Sequence, residues 1–170
     1  DNDDAYARAK TLAANSNDTE KQQIGIALLD EFGKADAAGV LLDIVSSKQS
    51  DATKQAALNA LRHIPDDSVA VNLVKQYPSF DNAIKEKVRG VLVTRAAWSR
   101  VLAGAIAKGA IQADEVPLEQ VRLMANHEDV DLRAQIEKIW GAVRAGTPEE
   151  KLAEVRRLNN ELNAGKGDPV

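Results

Sequence analysis

The chain has 170 residues, with 22 Lys plus Arg against 26 Asp plus Glu, a net charge of −4, and no cysteine. That length suits one domain able to bury roughly 70% of its unfolded surface, so a core is attainable without disulfides or metals. The missing cysteines exclude disulfide frameworks, thiolate zinc, iron–sulfur clusters and a cysteine nucleophile, and the mild acidity argues against a broad grip on nucleic acid.

The opening Asp1-Asn2-Asp3-Asp4 is acidic, where a secretory leader is basic and then apolar. The first residue is not Met, which leads us to expect that an upstream segment has been removed. No run approaches the ~20 apolar residues of a membrane span. Apolar spacing is helical almost throughout. A first helix is predicted from Asp4 to Ala14. A second starts near Asn17, with Asn17 and Glu20 spaced as a capping box, and its apolar stripe is Ile24, Ala27, Leu28 and Phe32, ended by Gly33. A third spans Ala35 to Ser46, with Val40, Leu41, Ile44 and Val45 inward.

The pair then recurs. Lys21, Ile24, Ala27 and Leu28 are matched by Lys54, Ala57, Ala60 and Leu61, and again by Lys85, Val88, Val91 and Leu92. The periods are about 33 and 31 residues, within the range of stacked helical hairpins. A second helix follows each break, at Gly33, at Pro65-Asp66-Asp67 and at Arg95-Ala96-Ala97. Two amphipathic helices cannot hide their apolar faces alone, so neighbours must stack. The expected fold is all-α, a right-handed α-α superhelix of the HEAT-like or armadillo type.

Beyond Gly109 the pattern loosens. Pro117 opens a short helix through Leu118, Val121 and Leu123 to Asn126, and another runs from Asp129 to Trp140 with Leu132, Ile136, Ile139 and Trp140 on the core side. Thr147-Pro148-Glu149-Glu150 reads as a capped start for a last helix striped by Leu152, Val155, Leu158 and Leu162. The expected organisation is a helical domain over 1–164 and a linker over 165–170, where Gly165-Lys166-Gly167-Asp168-Pro169 has spacer composition.

Candidate sites are few. His63 and His127 lie about two periods apart, too far for a shared metal in a stacked array. His63 reads as a helix-end residue and His127 as a turn residue. His127-Glu128 lacks the second histidine of a zincin, and no serine sits in G-x-S-x-G. Asp1-Asn2-Asp3-Asp4 is too short for a calcium loop, with Tyr6 and Leu12 where that loop needs Gly and Glu. Glu149, Glu150 and Glu154 read as solvated face rather than an acid–base pair. Trp98 and Trp140 read as core. Lys85, Lys87, Arg89, Arg95 and Arg100 form the one basic series of note, an ordinary solvated face or a docking groove. The candidate partner-binding set is Lys85, Arg89, Arg95, Trp98 and Arg100. No catalytic, metal or cofactor residue is expected in this chain.

From Thr94 onward an ordered series of motifs stands out. It comprises Thr94-Arg95-Ala96-Ala97-Trp98, Lys108-Gly109-Ala110-Ile111, Asn126-His127-Glu128-Asp129, Arg133 through Gly141, and Gly167-Asp168-Pro169. The series resembles the helical region of large bacterial membrane-bound dehydrogenases that carry a propeller-like dehydrogenase domain and a C-terminal c-type haem domain. The resemblance implies a HEAT-like module positioning its neighbours, a haem attached by a C-x-x-C-H motif beyond Val170, and a periplasmic location. Its expected partners are adjacent domains of the same polypeptide. A free-standing protein-binding scaffold is the alternative reading, with nucleic-acid binding behind it.

Overall fold

The computed structural model describes residues 2–15 and 17–141. Every regular element among them is helical. Helix α1 is Asn2–Ala14, α2 is Thr19–Phe32 and α3 is Ala38–Ser46, entered through a 3-10 turn at Ala35–Ala37. Then come α4 (Asp51–Leu61), α5 (Ser68–Gln76), a 3-10 turn at Tyr77–Ser79 and α6 (Asn82–Leu92). Helix α7 is Ala96–Ala107, and a 3-10 turn at Ala113–Glu115 leads to α8 (Leu118–Ala125) and α9 (Val130–Trp140). The predicted last helix with its Thr147 cap, the carboxylates Glu149, Glu150 and Glu154, and the linker 165–170 lie outside the described residues.

Short polar caps define several helix starts. The Asp18 carboxylate accepts from the Lys21 N–H, Ser50 from Thr53, Asp81 from Ile84 and Asp129 from Leu132. The cap of α2 is therefore Asp18 and not Asn17, because the oxygen that reaches the N3 amide belongs to the residue directly before Thr19. Hydrogen bonding from the Lys21 side chain and backbone also holds the Asp18 carboxyl below its ordinary range.

Odd and even helices form two layers. Successive odd helices touch, α1 with α3, α3 with α5, α5 with α7 and α7 with α9, while α2 packs on α4 and α4 on α6. The most extensive packing joins α1 to α2 and α3 to α4. One core runs between the layers, from Tyr6 and Ala9 through Leu41, Leu61, Leu73 and Leu92 to Leu102, Val121 and Ile136.

The α2 face differs from the expected stripe. Ile24 is 48% exposed and Ala27 faces solvent, whereas Gln22, Gly25, Ile26 and Leu29 are buried. The reason is Gly25. A Cβ at this position would lie 2.2 Å from the Ala13 backbone nitrogen, so α1 and α2 touch backbone to backbone. Hydrophobicity counting passes over Gly and Gln and so selects the wrong side of α2. With the face corrected, Gly25, Ile26 and Leu29 stand 32 residues before Ala57, Leu58 and Leu61, themselves 31 before Val88, Arg89 and Leu92. The caps Asp18, Ser50 and Asp81 keep the same spacings of 32 and 31, so the earlier figure of 33 for the first interval is off by one.

Helix α8 shows a similar difference. Val121, Met124 and Ala125 are buried, while Leu118 and Leu123 are each more than half exposed. Pro117 stands just before the first turn rather than within it. In α9, Leu132 and Ile136 are buried, and Ile139 and Trp140 pack partly buried against the core.

Candidate functional site

The loops that end the even helices lie against one another and are joined by side-chain bonds. Arg95, in the break before α7, donates through one Nη to the Ile64 carbonyl at 2.9 Å and through the other to the Arg62 carbonyl. Its guanidinium also lies 4.4 Å from the centre of the Trp98 ring. Trp98 is fully buried, and its indole N–H donates to Asp67 at 3.0 Å. Arg100 donates to Asp129 at 2.7 Å, while the other oxygen of Asp129 caps α9. His127 bonds the Val93 carbonyl at 2.9 Å, which requires a proton on its Nε2. His63 bonds Asp30 at 2.6 Å. These six bonds span between 29 and 34 residues each, and each ties a loop to a distant loop or helix turn: Asp30 lies in the last turn of α2, and Trp98 and Arg100 lie in α7.

Two expectations gain detail here. His63 reaches across to α2 instead of serving only its own helix end. His127, a turn residue as read, ties its turn to the end of α6.

Of the five residues read as a candidate docking set, Arg89 and Trp98 are buried. Arg95, Trp98 and Arg100 are occupied in the loop bonds just described. Arg89 is buried, and its Nη donates to the Tyr77 hydroxyl at 2.5 Å, which donates to Glu115 at 3.0 Å. Lys85 stands 5.2 Å from the centre of the Tyr77 ring. Burial raises the Tyr77 pKa, and the hydrogen bond and charge of Arg89 pull against that rise. Burial also acts to raise Glu115. The Gln112 N–H, the Tyr77 hydroxyl and the charges of Lys85 and Arg89 outweigh it, leaving the carboxyl below its usual range. This network joins α6 to the loops at Tyr77 and Glu115. The candidate residues thus make contacts within the fold, with Trp98 in the core as expected.

Open concave surface is found elsewhere. Along α4, α6 and α8 two adjoining clefts of about 220 and about 510 Å³ share Arg62 and Gly90 as walls. Gln55, Asn59 and Lys87 line the first, and Thr94, Leu123 and His127 line the second. Gly90 sits inside α6, where glycine costs roughly 0.5–1 kcal/mol relative to alanine. A Cβ there would meet nothing within 4 Å, so internal packing does not require the glycine. Apolar side chains (Leu58, Val91, Val93 and Leu123) wall the two clefts alongside the polar ones, beside an open stretch of helix backbone at Gly90.

Among the described residues, no group of three or more His, Asp or Glu is placed to hold a metal ion, and no helix is long and apolar enough to cross a membrane. Comparison with family models, with curated proteins and with solved structures finds no match.

Proposed function

We propose that the chain is a non-catalytic positioning module, a HEAT-like right-handed α-α superhelix that binds protein along the α4–α6–α8 cleft. The single observation that carries this reading is the ladder of loop bonds spaced by one period, beneath a cleft that crosses several helices. Solenoids use such stacked faces as extended binding surfaces. The polar bonds cost side-chain freedom once, on folding, and leave a preorganised groove.

The resemblance to haem-bearing dehydrogenases fits this role. Arg95, Trp98, His127 and Asp129, which belong to the resembling motifs, all act in the loop ladder. On this reading the partners are neighbouring domains of a longer, extracytoplasmic polypeptide. The c-type haem belongs to one of those domains, since a chain without cysteine offers no C-x-x-C-H.

The test is calorimetric titration of this chain with the propeller and haem modules of the parent, made separately. Binding that is lost in Gly90→Trp at unchanged thermal stability supports the proposal. Failure of both modules to bind the wild-type chain overturns the neighbour-domain reading. A stop codon soon after Val170 leaves the free-standing scaffold in its place.

A further inference from the structure

The α4–α6–α8 cleft carries a charge opposite to that of the chain as a whole. Arg62 lines both of its parts, and Lys87 lines the first. Among the described residues, no Asp or Glu lines either part, although the chain holds 26 acidic residues against 22 basic ones. Glu86, beside Lys87 on α6, is exposed but lines neither.

Both cations are open to a partner. Arg62 is exposed and Lys87 partly exposed, and neither side chain has a hydrogen bond or ion pair among the described residues. The fold uses the neighbouring cations itself: Arg89 bonds Tyr77, Arg95 bonds the Arg62 and Ile64 carbonyls, and Arg100 bonds Asp129. Arg95 thereby steadies the backbone that carries Arg62. Two like charges lining one cleft repel each other, and a carboxylate between them relieves that repulsion. Gln55 and Asn59 add carboxamides to the first part, able to donate to and accept from a main chain. The second part offers Leu123, 53% exposed, as an apolar contact.

We propose that the cleft takes an extended acidic segment of a partner protein, with a carboxylate between Arg62 and Lys87 and an apolar side chain on Leu123. The inference rests on the reading of the cleft as a protein-docking surface and adds the chemistry of what docks there. The complementarity is local: against a chain of net charge −4, an acidic segment gains only where basic side chains gather. About six extended residues, roughly 20 Å long, suffice to cross helices packed about 8–10 Å apart. Nucleic acid is the poorer polyanion for this surface. Two cations neutralise few phosphates, and no Phe, Tyr or Trp lines the cleft to stack a base.

The experiment titrates the isotope-labelled full chain with a capped hexapeptide of alternating glutamate and leucine, followed by NMR at the backbone amides of Gly90 and Leu123. Saturable shifts at both are expected, and the same peptide with glutamine for glutamate should bind about tenfold more weakly, since two exposed ion pairs are lost. Arg62→Gln combined with Lys87→Gln should weaken binding of the acidic peptide by a similar factor. Lys48→Gln combined with Lys75→Gln removes as much charge from exposed positions that line neither part, and should leave the affinity unchanged. Thermal melts of both double variants confirm folding. Equal binding of the glutamine peptide, or equal weakening by the two double variants, overturns the acidic partner, as does the absence of saturable shifts with the acidic peptide. Tighter binding of a short oligothymidylate than of the acidic peptide overturns it in favour of nucleic acid. The docking reading itself is judged separately, by the module titration with Gly90→Trp.

Discussion

Side-chain bonds over some thirty residues occur at both ends of this molecule, Tyr6 to Asp36 at one and Trp98 to Asp67 at the other, but the α1 end adds a second means. Between α1 and α2 the backbones meet directly, through Gly25 against Ala13, with Tyr6 and Phe32 in edge contact at 5.3 Å. From α4 to α9, contact between successive loops runs through long polar side chains that reach backbone carbonyls or carboxylates one period away. Backbone contact tolerates no added atom, whereas a side-chain ladder can lose one rung and keep the rest.

The largest effect that sharpens this contrast is expected at Trp98, which serves both core and ladder. Trp98→Ala should cost about 3–5 kcal/mol in chemical denaturation, as large-to-small changes of buried aromatics do. Gly25→Ala should come next, at about 3 kcal/mol, because the new methyl meets backbone that cannot move aside. Arg95→Ala leaves the Arg62 and Ile64 carbonyls without their donor in a half-exposed site, for an expected loss of about 1–2 kcal/mol. Gly90→Ala has the opposite sign. It should stabilise by about 0.5–1 kcal/mol, since its methyl enters open space and the helix gains. Two glycine-to-alanine changes in helices of one chain should thus move the melting temperature in opposite directions.

The smallest effect concerns pH at the α1 end. A hydrogen bond from the Tyr6 hydroxyl and another from Lys10 hold the Asp36 carboxyl below its ordinary range. A depressed carboxyl contributes stability above its unfolded pKa and loses it as pH falls through the folded value. The acid limb of the stability curve should therefore flatten slightly in Asp36→Asn, by far less than any substitution above, because the site is open to solvent and screening. Thermal melts of both chains across the acid range check this.

What could be read from the residues follows the same division. The all-helical class was legible, because apolar spacing near 3.6 persists and Pro and Gly fall at the breaks. The buried role of Trp98 was legible too. The face of α2 was not, since the residues that decide it are a glycine, valued for having no side chain, and a glutamine, valued for its bond to Ala13. The interval from α2 to α4 then slipped from 32 to 33 because it was aligned on Ile24. Within the basic series, the burial of Arg89 and the long-range bonds of Arg95 and Arg100 were not legible either. Charge along a sequence signals solvent unless acceptors are known, and the acceptors of Arg95 are carbonyls some thirty residues away. Thr94-Arg95-Ala96-Ala97-Trp98 stood out as a motif, but only the fold reveals it as a rung of the ladder. The cleft along α4, α6 and α8 had one advance signal, a glycine inside a helical stretch at position 90.

The claim that polar rungs couple successive loops across the middle of the molecule is tested most directly by native-state hydrogen exchange on Arg95→Ala. The account predicts faster exchange together at the end of α4, around Ala60 to Ile64, and at the start of α7, with protection of α1 and α2 unchanged. Faster exchange spread evenly over all helices, or none at the end of α4, would contradict it.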